Sequence, residues 1–222
     1  MAKPNENYAG SGMHFHVSLQ DDAGRNVFME AQEGQWSDTI LHALGGMRAT
    51  MGESMLVFAP HANSWRRFAS QSYAPVSPTW GVNNRSVALR IPAGDIRARR
   101  IEHRPAGVDA NPYLVAATVL AGIRHGLKHR IDPGPEVTGN GYEAETTVVI
   151  PEDWRSAIRL AQGSAFLKEA LGKLNPSDLD GKVVVSAIKG MIPDENLLIA
   201  NFFFKYFNTP ENNFLVISGP CH

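Results

Sequence analysis

The run Met13-His14-Phe15-His16-Val17-Ser18-Leu19 alternates apolar and polar residues with period two, the signature of a strand with one face on a core. Gly12 precedes it and the turn-prone Asp21-Asp22-Ala23-Gly24 follows, so the expected strand is short and carries His14, His16 and Ser18 on one face. Ser86 to Ile91 and Arg100 to Arg104 read as two further strands. In the second of these, alternation sets Glu102 and Arg104 on one face and His103 on the other.

Between these runs the period changes. Ile40, Leu41, Leu44, Met47, Met51 and Met55 recur at three-to-four spacing, which predicts one amphipathic helix with Ser37 as its N-cap and Pro60 beyond its end. Asn111-Pro112 opens another as N-cap and first-position proline, running to Leu127 and stopping near Asp132-Pro133-Gly134. A glycine-containing loop, Thr138 to Tyr142, leads to a helical pair over Trp154 to Leu171, with Pro151, Glu152 and Asp153 in the first turn and Gly172 as a stop. The expected fold class is α+β, an antiparallel sheet with flanking helices. After about Lys173 the β-branched run Lys182 to Ile188, the amphipathic stretch Asp194 to Phe207 and the run Phe214 to Ser218 suggest a βαβ appendage. A boundary is expected between Ser164 and Gly181.

With 222 residues, 43% of them hydrophobic, the chain can bury a core. Its 21 Lys plus Arg balance 22 Asp plus Glu, so no net field favours nucleic acid or an anionic membrane. Cys221 is the one cysteine, which excludes a disulfide framework and a cysteine metal site. No apolar run approaches the roughly 20 residues of a membrane span. A soluble, cytoplasmic protein is expected.

Chemistry must therefore come from local clusters. His14 and His16 on one strand face offer two imidazoles to a site above the sheet, or two hydrogen-bonding groups on its surface. Glu102 with Arg104 fits a plain salt bridge, and Glu102 with His14 fits one oxygen and one nitrogen ligand of a divalent metal. Arg66, Arg67, Arg85, Arg90, Arg97 and Arg99 crowd guanidinium groups into a short span, suited to phosphate or carboxylate, or to a solvated basic surface.

Five phrases appear in fixed order: Ala9-Gly10-Ser11-Gly12-Met13-His14-Phe15-His16, Asn63-Ser64-Trp65-Arg66-Arg67, Asn83-Asn84-Arg85-Ser86-Val87-Ala88-Leu89-Arg90-Ile91-Pro92, Arg100-Ile101-Glu102-His103-Arg104 and Ala110-Asn111-Pro112-Tyr113-Leu114. Together they resemble the C-terminal half of the glutamine synthetase catalytic domain over about residues 1–172, within that family the gamma-glutamylpolyamine synthetase branch. The resemblance implies ATP-dependent joining of glutamate to an amine or ammonia through a gamma-glutamyl phosphate. It implies that His14 and Glu102 bind magnesium or manganese, and that His16, Ser18, Arg85, Arg90 and Arg97 face ATP. Gly10, Arg67 and Arg104 would hold glutamate, with Arg67 and Arg85 serving the phosphoryl transfer. Family members form ring-shaped homo-oligomers.

Two positions depart from the family pattern. Ala9 stands where many members carry asparagine, and Tyr73, in Gln71-Ser72-Tyr73-Ala74-Pro75, stands where ammonia-using members carry a glutamate. Tyr73 is therefore expected at the amine site. The family's upstream glutamate ligands are missing, so the chain is expected to be a fragment starting at an internal methionine, inactive alone. Residues 173–222, with Val184-Val185-Ser186-Ala187-Ile188-Lys189-Gly190 and Val216-Ile217-Ser218-Gly219-Pro220-Cys221-His222, resemble pieces of an NAD-dependent glycerol-3-phosphate dehydrogenase. They are expected to be a foreign, Rossmann-type tail without an NAD site.

Overall fold

Alternation distributes one four-stranded sheet between a core and an open face. Its strands are β1 (Phe15–Val17), β2 (Trp80–Val82), β3 (Leu89–Ile91) and β4 (Ile101–His103), in the spatial order β1-β4-β3-β2. Val17, Trp80, Leu89, Ile91 and Ile101 are buried on the inner face. The computed structural model describes residues 2–171 apart from 31, 33, 70 and 71, and beyond them the four short strands named below.

The sheet is mixed, a correction to the antiparallel one expected. β4 runs antiparallel to β1 and β3, but β2 and β3 are parallel, with Trp80 opposite Leu89 and Val82 opposite Ile91. Parallel neighbours normally need a dozen or more residues of crossover, yet only 83–88 intervene here. Asn83 adopts a left-handed φ of 50°, which asparagine tolerates better than most residues. Asn84 then ties the return together: its Oδ1 accepts from Ser86 N and Oγ, and its Nδ2 donates to the carbonyls of Val137 and Gly139. The strand at Met13–Leu19 is also shorter than expected, and His14 and Ser18 lie outside its three residues.

The helix expected from Ser37 is two helices, α1 (Asp38–Ala49) and α2 (Met51–Phe58). Ser37 Oγ caps α1 by accepting from Ile40 N. At the break, Thr50 Oγ1 donates back to Gly46 O at 2.9 Å and Ser54 Oγ to Thr50 O at 2.7 Å, side-chain bonds that bend helices. α3 (Pro112–His129) begins as its sequence predicts, with Asn111 Oδ1 accepting from Tyr113 N and Leu114 N, and ends at Arg130 in the left-handed region. Asp153 caps α4 (Trp154–Gly163), and α5 (Ala165–Leu171) follows.

α1 and α3 cross with their backbones in contact. A Cβ added to Gly46 would come 2.2 Å from Gly122 O and 2.3 Å from Gly126 N, so glycine is required there. Around this crossing Ile40, Leu44, Met51, Met55, Val115 and the inner face of the sheet form the core. No described helix is long and apolar enough to cross a membrane.

The chain divides into two compact units, Met1–Leu171 and Gly172–His222. In the second, β5 (Val184–Ser186) pairs parallel with β8 (Phe214–Val216), and β6 (Met191–Ile192) pairs antiparallel with β7 (Leu197–Leu198). The amphipathic helix expected over 194–207 is interrupted, because Leu197–Leu198 is a strand. The rest of that stretch, the stop at Gly172, Lys189 and Cys221 lie outside the described residues.

Candidate active site

Residues directly opposite across a sheet share a face. The register sets His16 opposite Glu102 and Glu102 opposite Arg90, so a polar row crosses the open face. His103, one residue on, faces the core with its ring 4.3 Å from that of Phe58. Burial, followed by repulsion from His14, pushes the His103 imidazole down to about 3; it is neutral.

Glu102 is the hub of the row. Its Oε2 accepts from Arg90 Nη1 at 2.7 Å, and its Oε1 from Arg104 Nη1 at 2.8 Å. His14 Nδ1 lies 2.9 Å from the same Oε1, so His14 meets the row from just outside the strand. Burial disfavours the Glu102 anion, but the Arg90 hydrogen bond and the charges of Arg104 and Arg90 outweigh it and hold the carboxyl below its usual range. The His14 imidazole is shifted down, by burial first and then by Arg104, which favours the neutral ring.

Arg104 also donates from Nη2 to the carbonyls of Arg85 at 2.9 Å and Tyr73 at 3.2 Å. It thereby joins the strand to two loops. Two concave spaces of about 430 Å³ flank this guanidinium and share Arg104, His14 and Tyr73. One is bounded by Gly10, Gly12 and Arg67, the other by Arg85, Arg90 and Glu102. Arg67 is buried and donates to Pro105 O. A Cβ on Gly10 would lie 2.7 Å from Arg67 Cγ, so glycine lets the loop lie against the arginine stem. Arg67, Arg85, Arg90 and Arg104 surround these spaces, and Glu102 is the carboxylate among their lining residues. Such an excess of guanidinium groups suits an anionic ligand.

Not every residue of the expected site joins it. Arg97 is exposed, held by Asp95 at 3.0 Å, and lines neither space. Ser18 is exposed. His16 shares the Glu102 face but takes Arg100 Nε at 3.3 Å rather than lining either space. Tyr142 went unassigned in the sequence, yet its hydroxyl donates to Ala74 O at 3.3 Å, beside Tyr73. Tyr73 has φ 58° and is 68% exposed, an uncommon backbone state for an aromatic residue. A Gly-Tyr sequence gives no local signal for such a tertiary contact.

Neutral His14 and anionic Glu102 supply one nitrogen and one oxygen donor, a set that fits a divalent cation. They form only part of a coordination shell. Among the described residues no group of three or more His, Cys, Asp or Glu could hold an ion by itself.

Comparison with known proteins supplies the context. The chain is 52% identical over 145 residues to gamma-glutamylputrescine synthetase of Escherichia coli, covering 65% of this chain and 30% of that one. It is 40% identical over 172 residues to gamma-glutamylethanolamide synthetase of Streptomyces coelicolor, covering 78% and 36%, and 34% identical over 181 residues to glutamate–isopropylamine ligase of a Pseudomonas species, covering 81% and 37%. A solved structure of a GmaS/ADP complex superimposes with a TM-score of 0.68 at 31% identity, covering 78% of this chain and 41% of that one. The chain thus spans about a third of the length of these curated relatives. The family model for the glutamine synthetase catalytic domain matches residues 1–175, and the chain belongs to that family.

Proposed function

We propose that this chain is part of the catalytic domain of an ATP-dependent ligase that joins the glutamate side chain to an organic amine. The observation that carries the reading is the Glu102 hub, with His14, Arg90 and Arg104 within 2.9 Å of its two oxygens between two arginine-lined spaces. The names of the relatives, which give gamma-glutamylputrescine, gamma-glutamylethanolamide and the joining of glutamate to isopropylamine, support the amine class and the gamma-glutamylpolyamine branch.

In this reading the glutamate side-chain carboxylate attacks the terminal phosphorus of ATP, and ADP leaves. The amine nitrogen then attacks the acyl carbon, inorganic phosphate leaves, and the nitrogen gives up a proton. Arg67 and Arg104 border the space assigned to glutamate, and Arg85 and Arg90 border the space assigned to the phosphates, where fixed positive charge stabilises the transferring phosphoryl group. His14 and Glu102 are the residues that would hold magnesium or manganese, and such a cation, when bound, neutralises phosphate charge. The remaining ligands must come from outside the described residues. His16, Ser18 and Arg97 reach ATP only if the nucleotide extends along the open face beyond the two spaces.

Residues 173–222 receive no part in this chemistry. The parallel β5–β8 pair is the one described feature in keeping with a Rossmann-type piece. Against it stands the similarity to glutamine synthetase of Pyrococcus woesei, which covers 86% of the chain, cannot fit within residues 1–172 and favours continuity with the family.

The test is titration of the chain with ATP and magnesium by calorimetry, followed by a hydroxamate assay with glutamate and hydroxylamine. Nucleotide binding weakened by Arg90→Ala supports the site. Binding without hydroxamate makes the chain a nucleotide-binding module whose catalysis needs further sequence, and absence of binding refutes the assignment.

A further inference from the structure

Behind the Glu102 strand lies a second polar cluster, on the core side of the sheet and independent of the ligase reading. His103 is 1% exposed and Thr118, on α3, is 2% exposed. Both His103 ring nitrogens and Thr118 Oγ1 lack a hydrogen-bonding partner among the described protein atoms. A neutral imidazole has one N–H to donate and one lone pair to fill. Leaving buried polar atoms unpaired forfeits their solvation with nothing in return, and native proteins rarely leave them so.

The two residues share a cavity of about 10 Å³ with the hydroxyl-bearing Thr50 and Ser54. Its size matches one water and nothing larger, since a buried water needs roughly 10–15 Å³ and two to four polar partners. Those partners are present in the right sense. Thr50 and Ser54 each donate their hydroxyl proton to a main-chain carbonyl, which leaves oxygen lone pairs as acceptors for the hydrogens of a water. The imidazole offers that water a donor or an acceptor according to its tautomer, and the Thr118 hydroxyl rotates to supply the complement. A purely apolar pocket of this kind would stay dry; this one has four polar side chains around one water-sized space.

We infer that this cavity is a built hydration site, in which one buried water links His103 on β4 to Thr118 on α3 and to the Thr50–Ser54 break between α1 and α2. The site fastens the back of the strand whose front carries Glu102.

The sign of one substitution tests it. Thr118→Val replaces the hydroxyl by a methyl of nearly the same shape. If a water bridges the cluster, the substitution strips it of a partner, and Tm falls by about 2–4 °C, the shift that corresponds to about 1 kcal/mol in a chain of this size. Thr118→Ser, which keeps the hydroxyl, should recover part of that loss. His103→Leu combined with Thr118→Val should lower Tm by less than the sum of the two single changes, because the second change removes a group the first has orphaned. If the cavity is dry, Thr118→Val removes an unpaired hydroxyl, so Tm stays or rises, and the double variant is additive; either result overturns the inference. A high-resolution crystal structure of the unmodified chain does not depend on any variant folding. A single solvent peak within about 3.2 Å of a His103 nitrogen and Thr118 Oγ1 supports the site, and featureless density there refutes it.

Discussion

Glu102 and Arg104 are paired at 2.8 Å with their side chains 3% and 4% exposed, so the site's central carboxylate is balanced before any ligand arrives. Arg90, 15% exposed, takes the other oxygen at 2.7 Å. Glu102→Gln keeps the shape and removes the charge, leaving two guanidinium groups facing each other across an amide. Removing one partner of a buried pair costs about 3–5 kcal/mol, and urea unfolding of Glu102→Gln should show a loss of that order. The exposed Asp21–Arg25 pair is the control: Asp21→Asn should leave the midpoint where it was. Equal shifts in the two variants would show that Glu102 is not the electrostatic hub.

The second prediction concerns packing. A methyl on Gly46 would meet backbone atoms of Gly122 and Gly126 on α3 at 2.2 and 2.3 Å, and backbone cannot rotate aside as a side chain can. The helices must part. Gly46→Ala is expected to destabilise the chain by about 3 kcal/mol despite alanine's better helix propensity, at the upper end of overpacking costs. At Gly163, the last residue of α4, nothing lies within 4 Å of an added Cβ, so Gly163→Ala should be tolerated. Thermal melts of the two variants compare them directly.

These two sites differ in how far the sequence reveals them. Alternation is local, so period two within each short run puts Glu102 with Arg104 on one side of its strand. That His16 and Arg90 stand opposite Glu102 depends on cross-strand register, which no single run encodes. The Ser37 and Asn111 caps are legible because capping is local too, whereas Asp153, expected inside the first turn of its helix, is instead the N-cap, and Pro151 and Glu152 precede the helix. Arg104's carbonyl partners, Arg85 and Tyr73, lie 19 and 31 residues away, and nothing in the run Arg100 to Arg104 encodes those loops. The parallel β2–β3 pairing depended on a left-handed Asn83 and on Asn84 reaching a loop more than fifty residues on, so strand order stayed hidden although β3 itself did not. The glycines at the α1–α3 crossing are plain in the sequence, but only the packed helices show which of them touch.

The third prediction is a pH effect. Burial is the main cause that raises the Tyr142 phenol above its ordinary value, and the protonated hydroxyl is the form that donates to Ala74 O. In the unfolded chain this phenol ionises first as the pH climbs past about 10, so the folded state then binds the extra proton. Stability contributed by Tyr142 is therefore present below pH 10 and declines above it. Absorbance titration at 295 nm should resolve one late-ionising tyrosine that is missing from Tyr142→Phe, and the variant should lose less stability between neutral pH and pH 11 than the unmodified chain. A titration unchanged by Tyr142→Phe would rule this out.

The last prediction concerns Tyr73, which lines both spaces and is 68% exposed. Its carbonyl is fixed by Arg104 and the next residue's by Tyr142, so the loop is held at both its charged and its aromatic sides. An attacking ammonia arises from ammonium, which a carboxylate attracts and can deprotonate. A neutral phenol does neither, whereas a flat aromatic wall favours an alkyl amine by contact. In an enzyme that joins this half to the upstream segment of a relative, kcat/KM should be higher for putrescine or ethanolamine than for ammonia. Tyr73→Glu should narrow that preference by about tenfold or more, the equivalent of about 1.4 kcal/mol in the transition state. Tyr73→Phe separates ring from hydroxyl and should retain the amine preference. If ammonia is preferred by the unmodified enzyme and Tyr73→Glu gains nothing with it, the side chain at residue 73 does not choose the nucleophile, and the selection must lie with an acidic group elsewhere in the complete site.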